Sequence, residues 1–349
     1  MRATVIHAAR DIRFEEVPDP VLKLPTDAVV KVVAACVCGS DLWPYRGITE
    51  TKAPHPIGHE LVGIVEEVGS EVRTLRPGQF VIAPFTCSDG TCRNCLNGVQ
   101  TSCLGGAWWG GQDAAGIAMN GGQSEWVRVP VADGTLVATP ELPDDALVPS
   151  LLTLSDVMGT GHHAALAGGV TKGRSVVVVG DGAVGSCAVL AASRLGAERI
   201  IAMSRHADRQ ALARDFGATD IVTERGEQGA TVVRDLLGGQ GADSVLECVG
   251  TVESMQQALD TVRPGGRVGY VGVPNGGAEL NLRKMFYNNI AVAGGVAPAR
   301  AYLEELLVDV LSGDLDPGRV FDLELPLAEV AQAYAAMDER RSIKTLLRP

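Results

Sequence analysis

The strongest constraint on the fold is a buried strand that runs directly into a glycine-rich turn and a helix. Four consecutive valines, 176–179, precede Gly180, Gly182 and Gly185 in the pattern G-x-G-x-x-G. The downstream pattern predicts strands over 175–179, 199–203, 242–249, 267–273 and 290–293, and helices over 183–195, 207–216 and 252–262. Valine-rich strands that alternate with helices are typical of a parallel sheet covered on both faces, so we expect a doubly wound α/β domain.

The glycine turn predicts a dinucleotide site. Gly180 permits the tight turn, Gly182 lets the backbone approach a pyrophosphate, and Gly185 allows close packing of helix and strand. The helix begins at Ala183 and Val184, where free backbone N–H groups can meet phosphate oxygens. A glycine turn alone is also compatible with a purely structural role, but the matching strand, helix and following strand–helix units favour nucleotide binding.

The end of the second predicted strand bears on the choice between NAD and NADP. An acidic residue about 20 positions after the turn holds the ribose 2′-hydroxyl in NAD-binding proteins. Here Ser204, Arg205 and Arg209 follow the strand, and the acid is missing. A hydroxyl and a planar guanidinium group suit a phosphate, so we expect NADP(H). The alternative is a solvated basic turn that opens a helix.

The region before the α/β domain has a different character. The chain has 349 residues, enough for two domains. Short apolar runs over 26–37, 61–69 and 79–83, each bounded by turn residues, predict a barrel-like β domain. From about residue 298 the pattern predicts one long helix and then mixed structure. The sequence leaves open whether this last part returns to the first domain.

Charge and composition exclude several classes of protein. Thirty basic and 42 acidic residues give a net charge of −12, which argues against a nucleic-acid partner. No apolar run reaches the length of about 20 residues that a membrane span needs, and no signal peptide is recognisable. We therefore expect a cytoplasmic protein. Eight cysteines in a reducing compartment favour metal binding or catalysis for some of them.

One group of candidate metal ligands lies in two short motifs of the β-rich region. The first motif, 36–41, contains Cys38, Ser40 and Asp41, and the second, 58–60, contains His59 and Glu60. Each motif borders a predicted strand, so both can converge on one point. Catalytic zinc uses three protein ligands and one open position, and cysteine and histidine are suitable donors. Asp41 and Glu60 are candidates for orienting the ligands, or are solvated loop residues.

A second group is compact in sequence, near residues 87–103. Asp89, Cys92, Cys95 and Cys103 lie in a loop rich in glycine and asparagine, which is typical of a structural zinc site. Either Asp89 or the nearby Cys87 is the fourth ligand. Free thiols in an irregular loop are the alternative.

Taken together, these motifs resemble the zinc-dependent alcohol dehydrogenases of the medium-chain dehydrogenase/reductase superfamily. The resemblance covers essentially the whole chain in the right order. It rests on Cys-Gly-Ser-Asp, on Gly-His-Glu, on the cysteine lobe, on the central G-x-G-x-x-G and on the C-terminal segment 343–349.

The resemblance implies a GroES-like catalytic domain over 1–150, which contains the structural zinc lobe near 87–103. It implies a Rossmann domain over 151–294 and a C-terminal segment, 295–349, that returns to the catalytic domain. Cys38, His59 and a third ligand just before the Rossmann domain would hold the catalytic zinc. The residue at that third position is Asp156, as in the formaldehyde-dehydrogenase-like branch, and Glu60 would be an occasional ligand. Thr160 and Lys344 would contact the cofactor.

Two departures from the family pattern affect the details. Asp89 replaces the usual first cysteine of the lobe, and Trp43 stands where many relatives have a proton-relay histidine. The proton would then pass from Ser40 through the cofactor ribose to water. His162 and His163 are interpreted as residues that support the zinc site or contact the cofactor.

The function expected from the resemblance is hydride transfer between NADP(H) and an alcohol and its aldehyde or ketone. A homodimer or homotetramer is expected by analogy. Two alternatives remain: a zinc-independent quinone or enoyl reductase of the same fold, and a non-catalytic NADPH-binding sensor. Trp108 and Trp109 are candidates for a substrate wall or a packing loop. Met285, Phe286 and Tyr287 are candidates for an apolar wall or an oligomer contact.

Overall fold

The computed structural model describes residues 1–274 and 280–349. The chain divides into two compact units. One unit comprises Met1–Asp156 together with Pro298–Pro349, and the other comprises Val157–Ala297. The borders thus fall after Asp156 and Ala297, a few residues later than the expected 150 and 294.

The N-terminal part of the first unit is built mainly from short strands. Its strands are β1 (Arg2–Ala8), β2 (Asp11–Glu16), β3 (Ala28–Cys36), β4 (His55–Pro56), β5 (Leu61–Val68), β6 (Phe80–Ala83), β7 (Thr86–Cys87), β8 (Ala107–Trp108), β9 (Trp126–Val129) and β10 (Val137–Ala138). Its short helices are α1 (Leu42–Tyr45), α2 (Arg93–Leu96), α3 (Ala132–Thr135) and α4 (Val148–Thr153).

Strands and helices alternate through the second unit. Its strands are β11 (Ser175–Val179), β12 (Arg199–Met203), β13 (Asp220–Val222), β14 (Ala242–Glu247), β15 (Val262–Tyr270) and β16 (Ala291–Gly294). Its helices are α5 (Val157–Ala167), α6 (Ala183–Arg194), α7 (Ala207–Asp215), α8 (Gly226–Leu236), α9 (Val252–Thr261) and α10 (Leu282–Asn288).

The C-terminal segment completes the first unit. It contains α11 (Ala299–Ser312), β17 (Phe321–Pro326), α12 (Val330–Asp338) and β18 (Lys344–Arg348). The main sheet has the order β10-β6-β5-β3-β18-β17, and β9 also pairs with β3. Strand β18 runs antiparallel to β3, with Leu346 opposite Cys36, so the C-terminal segment joins a sheet built by the N-terminal part of the chain.

Alternating apolar residues build the core of this sheet. Val30, Val32 and Leu61 are almost completely buried, and the facing strands bury further aliphatic side chains. A second apolar cluster joins Ile6 and Val37 to Tyr334 of helix α12. This cluster fixes α12 beside the segment that follows β3, which carries the first motif of candidate ligands.

The second unit is the doubly wound α/β domain expected from the sequence. Its six strands are parallel in the order β13-β12-β11-β14-β15-β16. Val177 of the central strand lies opposite Ile201 on one side and Val245 on the other. All three side chains are buried, because parallel strands covered on both faces need apolar residues throughout.

One strand begins earlier than the sequence pattern predicts. The predicted strand 267–273 is β15, which already pairs at Val262. Between Val262 and Arg267 the register against β14 shifts, and Pro264 lies in this irregular stretch. Proline and glycine are rare inside strands, so the sequence pattern did not indicate that β15 begins before this bulge.

A buried charge network stabilises the first unit away from the candidate ligands. Arg128, only 2% exposed, donates to Asp27 at 2.9 Å and to Asp113 at 2.6 Å. Both hydrogen bonds are charge-assisted and are shielded from solvent.

Among the described residues, no helix has both the length and the apolar character that crossing a membrane would require.

Candidate functional site

The first group of candidate ligands converges because two antiparallel strands end side by side. Cys38 follows β3, and His59 and Glu60 precede β5, whose first residue Leu61 lies opposite Ala35. Asp156 ends the N-terminal part of the first unit.

The potential ligand atoms of this group lie within bonding reach of one small ion. One atom each from Cys38, His59, Glu60 and Asp156 lie within 4.8 Å of one another. The Sγ of Cys38 is 3.7 Å from Oδ2 of Asp156, and Nε2 of His59 is 3.5 Å from the same oxygen. Bonds of about 2.0–2.3 Å to a tetrahedral zinc ion place ligand atoms at comparable separations.

The charges of this cluster also favour a cation. Burial raises the pKa of the Cys38 thiol despite the opposing effect of His59. Burial by itself lowers the pKa of His59, but Asp41 and Cys38 outweigh it and raise that pKa well above its usual value. Protons on the thiol and the imidazole therefore balance the carboxylates in the ion-free cluster, and a divalent cation would replace these protons.

The two carboxylate oxygens of Glu60 differ in their hydrogen bonding. Its Oε1 accepts a 2.7 Å hydrogen bond from Nζ of Lys344, and both side chains are at most 1% exposed. Nζ of Lys344 also donates to the carbonyl of Val37 at 3.3 Å. The buried Oε2 of Glu60 has no hydrogen-bond partner among the described residues. Buried carboxylate oxygens are rarely left unpaired, so this atom also fits a metal ion.

Asp41 connects the two motifs. Its Oδ1 lies 3.3 Å from Nδ1 of His59, and its Oδ2 accepts a hydrogen bond from the Cys38 backbone at 2.9 Å. A carboxylate that holds the outer nitrogen of a ligand histidine fixes the ring and its tautomer. Gln123 donates a hydrogen bond to Asp41 and accepts one from Tyr334. The sequence pattern did not indicate either residue, because both lie far from the two motifs in the chain.

A cavity of about 310 Å³ adjoins these residues within the first unit. Ser40, His59 and Trp109 line it together with Asp41, Pro44, His55, Pro56, Ile57, Gly58, Gly110 and Gly111. Trp109 is 9% exposed and donates from Nε1 to the Pro84 carbonyl at 2.9 Å, whereas Trp108 is 53% exposed. The two tryptophans therefore differ in role, and Trp109 is the one that borders the cavity.

The second candidate site is formed by Asp89, Cys92, Cys95 and Cys103, whose ligand atoms lie within 4.8 Å of one another. The Sγ of Cys92 is 3.5 Å from that of Cys95 and 3.8 Å from that of Cys103. Three thiols and one carboxylate are a donor set that zinc accepts in closed structural sites.

Asp89, rather than Cys87, completes this group. Burial opposes ionisation of Asp89, but N–H donors from Cys92 and Thr91 outweigh it and lower its pKa to about 2. Burial raises the pKa of Cys87 to about 12, which suits a neutral core thiol. Hydrogen bonds from the backbone of Leu104 and Cys95 lower the pKa of Cys92 to about 7.

The glycine turn of the second unit has the geometry of a phosphate cradle. Gly180 has φ of +124°, and Gly182 is the N-cap of α6, which begins at Ala183 and Val184. A Cβ atom on Gly185 would lie 2.0 Å from the Gly180 carbonyl oxygen, so only glycine fits there. The turn thus leaves the helix start open to an anion.

The end of β12 carries the candidate phosphate contacts, but two of them are occupied by an acid. Ser204 donates to Oδ2 of Asp181 at 2.9 Å, and Arg209 lies 3.4 Å from Oδ1 of the same carboxylate. Arg205 is exposed.

A further arginine also lies at the end of β12. Arg225 precedes α8 and donates to the Met203 carbonyl at 2.9 Å. The sequence pattern did not indicate Arg225, because this residue follows β13, the strand after β12 in the chain. Its position just after β13, the neighbour of β12 in a parallel sheet, was the available signal.

The remaining predicted residues lie on helices α5 and α10 of the second unit. Thr160 and His162 are 8% and 2% exposed. Burial lowers the pKa of His163. Met285, Phe286 and Tyr287 lie on α10, where Phe286 is 78% exposed and Tyr287 70% exposed.

Comparisons with known proteins agree with this architecture. Residues 24–141 match the family model of the alcohol dehydrogenase GroES-like domain, and residues 183–312 match that of zinc-binding dehydrogenases. Zinc-type alcohol dehydrogenase B of Aspergillus flavus is 31% identical over all of this chain and 81% of its own length. Formaldehyde dismutase of Pseudomonas putida is 29% identical over all of this chain and 97% of its own length. The solved structure of alcohol dehydrogenase TADH from Thermus sp. ATN1 is 34% identical, with a TM-score of 0.90 over all of this chain and 99% of that one.

Proposed function

The chain belongs to the zinc-dependent alcohol dehydrogenases of the medium-chain dehydrogenase/reductase superfamily, and we propose that it transfers a hydride between NADP(H) and an alcohol and its aldehyde or ketone. The observation that carries this proposal is the convergence of Cys38, His59 and Asp156 beside the cavity that Ser40 lines. Three ligands and an adjoining space for substrate are what a catalytic zinc site needs.

The residues of the catalytic site divide into metal ligands and a proton acceptor. Cys38, His59 and Asp156 would hold the ion, and Glu60 would be an occasional fourth ligand. Zinc, when bound, supplies Lewis acidity that polarises a carbonyl oxygen or lowers the pKa of an alcohol. The Ser40 hydroxyl would accept the proton of the substrate alcohol while its own proton passes to water in the cavity. Trp43 has no titratable group, so the proposed proton route does not pass through that position.

The cofactor would bind at the glycine turn, with its pyrophosphate on the backbone N–H groups of Gly182, Ala183 and Val184. The nicotinamide ring, when bound, accepts or donates the hydride. Thr160 and Lys344 remain predicted cofactor contacts. For Lys344 that role would compete with its buried hydrogen bond to Glu60.

The preference for NADP is supported by the charges at the end of β12. Arg205, Arg209 and Arg225 lie on or next to this strand end, together with the two carboxylates of Asp181 and Glu224. A 2′-phosphate would take over the hydrogen bonds that Ser204 and Arg209 now make to that carboxylate. Because arginine forms bidentate contacts with phosphate, this surplus of positive charge favours NADP over NAD.

A second zinc ion would close the lobe through Asp89, Cys92, Cys95 and Cys103. This ion would stabilise the loop and take no part in the reaction, because four protein ligands leave no open position. Thiolate ligands require a reducing environment, which supports a cytoplasmic location. The expected homodimer or homotetramer is open to measurement by light scattering on the purified protein.

The proposal is tested by zinc analysis and kinetics on matched variants. The wild type should hold about two zinc ions per chain, and Cys38→Ser and His59→Ala about one. Both variants should lose turnover of alcohols with NADP⁺ and of aldehydes and ketones with NADPH, while still binding NADPH. Cys87→Ala, which removes a thiol outside both ligand groups, should keep both ions and the activity.

Four results would contradict all or part of the proposal. Full activity of Cys38→Ser, or activity insensitive to chelators, would favour a zinc-independent reductase. NADPH binding without turnover across the panel would favour a sensor. A clear advantage of NADH in kcat/KM would refute the cofactor assignment alone.

A further inference from the structure

A buried chain of hydrogen bonds leads from helix α12 to the candidate zinc site. Tyr334 donates from its hydroxyl to Oε1 of Gln123 at 3.1 Å. Nε2 of Gln123 donates to Oδ2 of Asp41 at 3.2 Å and to the Cys36 carbonyl at 3.0 Å. Asp41 in turn meets Nδ1 of His59 at 3.3 Å. Tyr334 and Gln123 are both 0% exposed, so water does not compete for these contacts.

The orientation of the Gln123 amide follows from this chain. If the amide were flipped, its oxygen would face the carboxylate of Asp41 and the carbonyl of Cys36, and three acceptors would meet without a proton. The Tyr334 hydroxyl, which can donate or accept, adapts to this orientation by donating to the oxygen at the opposite end. The two acceptors, Asp41 and the Cys36 carbonyl, therefore set the orientation of the amide.

Gly58 provides an independent indication that Gln123 is fitted to this site. A Cβ atom at Gly58 would lie 2.4 Å from Cγ of Gln123, and the residue has φ of +94°. Gly58 directly precedes His59 in the chain. The side chain of Gln123 therefore packs against the backbone that presents the histidine, in space that only glycine leaves open.

We propose that Gln123 and Tyr334 are positioning residues for the catalytic zinc, which they serve by fixing the carboxylate of Asp41 against His59. With Asp41 accepting from Nδ1, the neutral imidazole presents the lone pair of Nε2 towards Cys38 and Asp156. This inference rests on the proposed zinc site. It adds a link between α12, near the C-terminus, and a ligand near the N-terminus.

The chain offers a closely matched control. The rings of Tyr45 and Tyr334 contact each other with centroids 5.3 Å apart, and both residues are buried. Only the Tyr334 hydroxyl belongs to the chain of hydrogen bonds. Tyr334→Phe and Tyr45→Phe each remove one oxygen from the same cluster, so the two variants separate loss of this hydrogen bond from general loosening of the core.

The experiment measures zinc release from the purified wild type and variants into a chromophoric chelator. Because outer contacts of metal ligands typically change metal affinity about 10- to 100-fold, Gln123→Met should release the catalytic zinc that much faster. Tyr334→Phe, one contact further away, should accelerate release roughly 3- to 10-fold, and Tyr45→Phe less than about 2-fold. The lobe zinc, identified by its release from Cys38→Ser, should leave at the wild-type rate in every variant. Cobalt-substituted protein should display altered d–d bands in Gln123→Met and Tyr334→Phe only.

The possible outcomes separate this inference from the proposed function. If folded Tyr334→Phe releases catalytic zinc and absorbs as cobalt protein like the wild type, the positioning role is refuted. Equal acceleration in Tyr334→Phe and Tyr45→Phe refutes it as well. If the wild type holds no ion that Cys38→Ser loses, the proposed zinc site itself is wrong. If Gln123→Met does not fold, the milder variant Tyr334→Phe still tests the positioning role.

Discussion

Replacing Asp181 by asparagine should strengthen binding of NADP relative to NAD. The Asp181 carboxylate lies 2.9 Å from the Ser204 hydroxyl and 3.4 Å from the Arg209 guanidinium, the two groups assigned to the 2′-phosphate. Asp181→Asn keeps the shape of the side chain and removes its negative charge. The phosphate would then be repelled by one negative charge fewer. Residue 181 would also hold the Ser204 and Arg209 donors less tightly.

The size of the effect follows from Coulomb's law. A phosphate that accepts from Ser204 would come within roughly 6 Å of Asp181, where two unit charges interact by about 3 kcal/mol at an effective dielectric constant near 20. The side chain of Asp181 is 20% exposed, so solvent and salt reduce this value to about 1–2 kcal/mol. The ratio of kcat/KM for NADPH to that for NADH should therefore rise about 5- to 30-fold.

The assay compares both cofactors at low ionic strength in the wild type, in Asp181→Asn and in Asp235→Asn. Asp235 is exposed at the end of α8. Its replacement changes the net charge equally but should leave the ratio unchanged. If Asp181 instead holds the ribose 2′-hydroxyl of NAD, Asp181→Asn would lower kcat/KM for NADH and leave NADPH weak. That result, or an unchanged ratio, would refute the reasoning.

Four further results are expected. Arg128→Met leaves two buried carboxylates without their guanidinium partner and should cost about 3–5 kcal/mol in urea unfolding; a loss below about 1 kcal/mol would contradict the network. Lys344→Met should destabilise the chain similarly through Glu60, and an effect on NADPH affinity alone would instead support the cofactor role. Ser40→Ala should slow alcohol oxidation about 10²- to 10⁴-fold with zinc content unchanged, whereas full activity would exclude the proposed proton route. In zinc-free protein, alkylation of Cys92 should accelerate as the pH rises through about 7, where the thiolate forms, and added zinc should suppress it; a midpoint near the ordinary thiol value would contradict the lowered pKa.

Much of the fold could be predicted because its signals are local. The strands 175–179 and 199–203 have the bounds expected from their apolar runs, and α6 follows the glycine turn as expected. The early start of β15 was missed because a bulge containing Pro264 interrupts the apolar pattern. Helix α10 was missed because it is only seven residues long, and its apolar residues Leu282 and Phe286 are exposed rather than buried.

The candidate zinc residues were predictable to the extent that they lie in compact motifs. Cys38 and His59 were found from the sequence in this way, and Asp156 was suggested by the family resemblance. Gln123 and Tyr334 carry no such signal, because neither residue type at an isolated position indicates a role. The hydrogen bonds from Tyr334 to Gln123 and from Gln123 to Asp41 exist only once α12 packs against the segment that follows β3.

The sequence by itself determined the class of chemistry, because donor atoms and glycine turns are properties of short segments. Cysteine, histidine and carboxylate motifs define which ions can bind, and G-x-G-x-x-G defines where a helix meets phosphates. Tertiary structure alone decided that Asp89 rather than Cys87 joins the lobe, that Lys344 is buried against Glu60, and that Asp181 occupies the donors at the end of β12. Glu60 and Lys344 are far apart in the chain, and Asp181 and Ser204 lie on different elements, so only packing fixes their distances. Within the compact lobe, the fold of the loop decides which side chain reaches the three cysteines.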